Sequence, residues 1–229
     1  MVNFFNNIAQ VSSSLLRNPN QYQQVKSFTP SRVQSLSATL VLATLLLMLF
    51  GFVIGWMHSP AQALSASLKL PALYLLTTLV TITIFHIGLI YMGSKHSLTQ
   101  LITGIANAIG LASMMLGAFA PVIFFLVLIG IEYRTLLLIS IGSLAVGSFV
   151  GLKTLMNYLA SLNPEMPEAG RRGLRLATVG WIFLFGFVGF QLSWVLRPFF
   201  GDPDSAFQWF RGPASDAGAS AIRAILGSL

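Results

Sequence analysis

Few of the residues able to move a proton, bind an ion or attack a carbon lie where this chain is apolar. His86 sits inside "LKLPALYLLTTLVTITIFHIGLIYMG", Leu68 to Gly93, near Thr77, Thr78, Thr81 and Thr83. Asn107 and Gln191 lie in two further apolar stretches, and Lys69 and Lys153 are near the ends of others. An ionisable or amide group at such depth is costly unless paired, so each is a candidate for function. His86, Asn107 and Gln191 could together line a polar path. The two lysines have stems long enough to carry their ammonium groups back to an interface. All six acids, Glu132, Glu165, Glu168, Asp202, Asp204 and Asp216, fall outside these stretches. Pumps and cation-coupled transporters commonly hold an acid at depth. The better expectation for His86 is therefore a single histidine hydrogen-bonded to a neighbouring helix.

Other chemistries find no constellation. Neither His58 with Glu132 nor His86 with His96 has metal-ligand spacing. There is no Gly-rich phosphate loop and no Gly-x-Ser-x-Gly elbow. The aspartates share one terminal tail, so they cannot face each other across helices as in an intramembrane protease. The absence of cysteine excludes disulfides, thiolate metal sites and cysteine nucleophiles. The expectation is a chain that is not an enzyme, with no catalytic residue, no metal and no cofactor.

The elements that carry these residues follow from composition. Of 229 residues, 55% are hydrophobic and only 8% charged, where a soluble domain has about 25% charged. Lipid must be the solvent. A helix crossing the hydrocarbon needs roughly 20 apolar residues at about 1.5 Å each. Five stretches qualify, near 36–57, 68–93, 101–130, 136–160 and 176–196, giving an all-α, polytopic transmembrane bundle. The third stretch contains Pro121 and reads either as one kinked span or as a re-entrant pair, with one span favoured. Lys69 and Pro71 fall in the first turn of the second span, where a proline's missing N–H would be unpaired anyway. "HSPAQALSAS" before it reads as a loop.

Outside the bundle, residues 1–35 form an N-terminal segment in which Phe4, Ile8, Val11 and Leu15 share a helical face fit for a membrane surface. Residues 197–229 form a tail in which Ile222, Ile225, Leu226 and Leu229 share another. The net charge of +7 points to topology rather than to nucleic acid, which is not an expected partner. Arg17, Lys26, Arg32, Lys95, Arg171, Arg172 and Arg175 would lie on one side, against Arg134 and Lys69 on the other. That asymmetry favours a cytoplasmic N-terminus and a C-terminus on the opposite side.

The pairs Gly51/Gly55 and Gly147/Gly151 are GxxxG motifs, with Ser143 one turn earlier, and support a tightly packed bundle. Gly186 and Gly189 are expected to do similar packing work. At the end of the fifth span Arg197 follows Gln191 and Trp194, and Pro198 ends the helix. Asp202 is a local counterion, while Phe199, Phe200, Phe207, Trp209 and Phe210, with Arg211, form an aromatic loop. The element reads as a structural clamp that lays this loop on the outer interface or on a partner. Expected partners are the bilayer and other membrane subunits, or a second copy of the chain.

The element "QLSWVLRPFFGDPDSAFQWFR", with "SASLKLPALYLLT", "GSKHSLTQ" and "FAPVIFF", resembles a family of small polytopic inner-membrane proteins of cyanobacteria and other bacteria. Most members are uncharacterised, and some carry an automatic actin-binding label that no residue here supports. The resemblance covers about Ala61 to Arg211 and implies a shared multi-span core that includes Lys69, Pro71, Gln191, Trp194, Arg197 and Pro198. It implies no activity. Thr83 and His86 stand where relatives more usually have proline and tyrosine. The layout is also loosely similar to Yip-type membrane-shaping proteins, at the level of architecture alone. The resulting expectation is an accessory or scaffold subunit in a bacterial inner, or thylakoid-type, membrane. A small-solute transporter or channel is the alternative.

Overall fold

The computed structural model describes residues 30–162, 165, 167–196, 199–200 and 209–210. Over these residues the chain forms five helices: α1 (Pro30–Trp56), α2 (Pro60–Tyr91), α3 (Leu98–Leu128), α4 (Tyr133–Leu162) and α5 (Glu168–Leu196). No strand occurs among the described residues. Each helix is long and apolar enough to cross a membrane, with mean hydropathy from 1.8 to 2.5 over its most apolar window. Large apolar side chains cover the outside, among them Leu79, Ile87, Leu138, Phe149 and Phe183, each more than 60% exposed. In water that surface would aggregate; in hydrocarbon it is the ordinary exterior. The chain is a multi-pass membrane protein. The amphipathic segments expected at residues 1–16 and 222–229 lie outside the described residues.

Short connections pair α1 with α2 and α3 with α4 as packed neighbours, and the helix ends show how backbone groups are satisfied away from water. Ser59 caps α2 by accepting from the Gln62 N–H at 3.2 Å, with Pro60 at the first helical position. Ser97 and Gln100 form a reciprocal capping box at the start of α3. Gly93 and Gly130 end α2 and α3 at φ +83° and +76°, which a Cβ would disfavour. Each is followed by a paired bond back into the helix: Ser94 N–H to Leu89 O, and Ile131 N–H to Leu126 O. These are Schellman closures.

Two expectations are corrected here. Residues 60–67 are not a loop but the first two turns of α2, so Pro71 lies inside the helix and not in its first turn. The stretch escapes a hydropathy reading because it faces α1 rather than lipid. A Cβ on Gly51 would come 2.5 Å from Ala66 O, and one on Gly55 2.5 Å from Gln62 O. Small residues on both sides allow that approach. The fifth span likewise begins earlier than 176, so the basic cluster Arg171, Arg172 and Arg175 belongs to the first turns of α5. The third span is one continuous helix through Pro121, whose side is exposed.

The same chemistry joins α3 to α4. Gly151 lets Ala108 O approach its Cα hydrogens, where a Cβ would sit 2.8 Å away, and Gly147 meets Ala112 O and Leu116. Both GxxxG motifs are thus consumed within the chain. Helix α1 packs on α2 and α3, α2 on α5, and α3 on α4, whereas α4 and α5 barely meet. A core of Leu47, Phe50, Ile54, Leu101, Leu116 and Leu155 fills the centre.

Two glycine substitutions separate packing from propensity. Alanine is favoured over glycine in a helix by about 1 kcal/mol, while overpacking costs about 1–3 kcal/mol. Gly55→Ala should therefore lower the melting temperature in detergent. Gly142→Ala, where a Cβ meets nothing within 4 Å, should leave it unchanged or raise it. Equal effects at both positions would contradict the close α1–α2 contact.

Candidate functional site

Three features could serve a function: a polar face at the start of α2, a histidine pair at the opposite end of the bundle, and a cavity between them. The first begins with Gln62, Ser65 and Lys69. At spacings of three and four residues they share one helical face, and all three are buried, Lys69 being 5% exposed. The Gln62 side-chain amide donates to Phe199 O at 3.1 Å. The Lys69 ammonium donates to Trp209 O and lies 4.9 Å from the centroid of the Phe210 ring, within cation–π range. Lys69 does not run to the interface by its stem. It is covered by the chain that follows α5.

Of the residues assigned to the clamp, Phe199 and Phe200 pack partly buried against the core. Trp209 and Phe210 are about half exposed, and Trp194 and Gln191 face outward from α5. Arg197, Pro198, Asp202, Phe207 and Arg211 lie outside the described residues. The anchoring side chains on α2, Gln62 and Lys69, were not singled out for this role by the sequence. The available signal was a buried polar repeat, Gln-x-x-Ser-x-x-x-Lys, at helical spacing inside an apolar segment.

At the opposite end, the α2–α3 turn folds His96 back beneath His86. His86 Nδ1 and His96 Nε2 are 3.2 Å apart, and His96 Nδ1 is 2.8 Å from Ser94 Oγ. The rings meet edge to face at 5.1 Å. Which nitrogen carries each proton follows from the network, not from observed hydrogens. His86 thus bonds a residue of its own hairpin rather than a neighbouring helix. Among the described residues no group of three potential metal ligands occurs, so two imidazoles stand without a third donor. His96 is 7% exposed, and burial, aided by the nearby His86, pushes it down to about 4.

The third feature is a cavity of about 440 Å³ at mid-bundle, bounded by α2, α3, α4 and α5. Its floor includes Ile105, Ala108 and Ala112 of α3 and Thr77 of α2, all buried. Trp181 forms one wall, stacked on Phe85 with centroids 4.3 Å apart and planes 11° apart. Ser148, Phe149 and Gly186 form an exposed rim where α4 and α5 diverge. The Tyr74 hydroxyl lies near Ser148. Thr77 and Thr78 donate to the carbonyls of Leu73 and Tyr74 in their own helix. Gly186 was expected to pack; a Cβ there would meet nothing within 4 Å, and the glycine borders the open space instead. A Cβ at Gly189 would meet Thr77 at 3.6 Å, an ordinary contact, so no close helix approach depends on this glycine.

The residues grouped as a polar path are not brought together. His86 faces His96, whereas Gln191 lies two residues beyond the Gly189–Thr77 contact toward the other end of the bundle. That separates the two by roughly 15 Å along the axis. Asn107 is buried in α3, and its Nδ2 has no hydrogen-bond partner among the described residues. None of the three lines the cavity. No family model, curated protein or solved structure matches the chain.

Lys69→Met should free the segment after α5 and destabilise the protein by about 1.5–3 kcal/mol, the usual worth of a hydrogen bond to a charged group. Limited proteolysis checks this: cleavage near Trp209 should accelerate while the helical core persists. A second outcome concerns pH. His96 is held neutral in the folded chain below its ordinary value near 6.5, so the unfolded state binds the proton first. The stability this contributes is complete above about pH 6.5 and is lost as pH falls toward 4. Melting curves in detergent should show this slope, and His96→Gln should flatten it.

Proposed function

We propose that the protein is a non-catalytic accessory or scaffold subunit that holds another membrane protein against α5. The observation that carries this reading is the outward face of that helix. Leu176, Val179, Phe183, Phe187, Phe190 and Trp194 recur at spacings of three and four residues and are 40–76% exposed. Such an arrangement is one continuous stripe. Four of the six are aromatic, the type enriched at the centre of protein interfaces. Among the described residues α5 is fastened mainly to α2, which leaves its other side accessible. Its far end is steadied by the contacts of Gln62 with Phe199 and of Lys69 with Trp209.

In this reading the protein resides in a bacterial inner, or thylakoid-type, membrane. Lys95, Arg171, Arg172 and Arg175 face the cytoplasm, and the end of α5 faces the opposite side. The family resemblance of the Gln191–Arg211 element supports the same setting. Transport would need a continuous polar path, and His86, Asn107 and Gln191 lie at separate places in the bundle. The partner is a second membrane protein or another copy of this chain.

The chain has no cysteine, which makes site-directed cross-linking clean. Phe187→Cys, treated in membranes with a bifunctional maleimide and its derivative for lysine, should give an adduct of higher mass. Leu138→Cys, on the exposed side of α4, should give none. Elution as a lone monomer in mild detergent, with no adduct at Phe187, would remove the scaffold reading.

A further inference from the structure

We propose that the cavity between α4 and α5 is a binding site for one acyl chain of a bilayer phospholipid, which enters sideways from the membrane. Three observations point to that occupant. The rim formed by Ser148, Phe149 and Gly186 is exposed near the middle of α4 and well inside α5. At that depth the medium is hydrocarbon, so only a lipid-soluble group reaches it. The volume of about 440 Å³ falls within the range of true ligand cavities. An apolar space of that size loses dispersion contacts along its whole lining when left empty.

The chemistry of the wall selects a hydrocarbon chain over a polar solute. Ile105, Ile109, Leu144, Leu152, Leu155 and Phe185 supply apolar surface. Most polar side chains among them are already engaged, and the Trp181 Nε1 is the exception, with no hydrogen-bond partner among the described residues. Thr77 and Thr78 bond their own backbone, and the Tyr74 hydroxyl lies near Ser148. A polar ligand would find little to exchange for its hydration, whereas a methylene chain needs nothing but contact. The headgroup then stays at the interface while the tail lies in the seam between the two helices.

Small residues keep the space open. Ala108, Ala112 and Gly151 form the α3–α4 side, and Gly186 lies opposite. Because a Cβ at Gly186 meets no atom within 4 Å, a larger side chain can occupy the cavity without disturbing the helices. That permits a direct test, independent of any partner on the outer face of α5.

The purified full-length chain is placed in lipid nanodiscs containing phosphatidylethanolamine with a diazirine on one acyl chain. After illumination, adducts are mapped by peptide mass spectrometry. Labelling should concentrate on Phe149, Leu152 and Ile182, several-fold above Leu79 and Leu138, which face bulk lipid. Gly186→Leu should reduce that labelling several-fold, and Gly180→Leu, also without a neighbour within 4 Å, should not. Ser148→Leu provides a second block from the exposed rim. Uniform labelling of the wild-type chain over all lipid-facing positions would overturn the proposal. So would undiminished labelling in both blocking variants with unchanged melting temperatures.

Discussion

Hydrocarbon offers no hydrogen-bond partner, and this constraint organises most of the polar groups in the bundle. Inside the spans, Thr39, Thr44, Thr77, Ser113, Ser140 and Thr178 turn their hydroxyls onto carbonyls of the preceding turn. In a soluble helix such bonding slightly disfavours the fold. Here it is the simplest way to hide a polar group. The helix ends are closed by the same logic, through the Ser59 and Ser97 caps and the glycine closures at Gly93 and Gly130. Lys69 is the strictest case. A cation buried near the start of α2 is tolerable because a carbonyl and an aromatic face are brought to it from 140 residues away.

The second organising fact is that lipid supplies no hydrophobic drive between helices. Association then depends on close packing, and the chain provides it unevenly. Gly51 and Gly55 draw α1 onto α2, and Gly147 and Gly151 draw α3 onto α4. Ser140 and Ser143 extend the small face of α4 by two turns, and both are buried. Helix α5 has no equivalent. It attaches through larger groups, chiefly Trp181 stacked on Phe85.

Much of the fold was legible because the property that defines it is local. A run of apolar residues long enough to cross a bilayer is visible without knowing its neighbours, so the five helices and the all-α class followed directly. What failed was tertiary in origin. Residues 60–67 are rich in alanine and serine because they face α1, and no hydropathy window records a helix that avoids lipid on that side. Gln62 and Lys69 could be seen as polar residues at helical spacing, but their partners, Phe199 and Trp209, lie 137 and 140 residues further along. The contact of His86 with His96 was not visible either, because it depends on the tight turn that Gly93 permits. The cavity had no sequence signature at all, because it consists of a contact that two helices do not make.

That missing contact has a steric cause. Trp181 is wedged between Phe85, at 4.3 Å, and Phe185, at 5.2 Å, on the side of α5 that turns toward the bundle. Three aromatic rings at one level set a minimum distance between α5 and the other helices. One turn further along, Gly186 and Gly189 remove side-chain volume on that same side. Bulk followed by absence leaves space between α5 and α4 at this level, where Gly186 borders the cavity. Helix α4 does not fill it, because its small face is already committed to Ala108 and Ala112 of α3. The opening between α4 and α5 is therefore fixed by which residues are large and which are small.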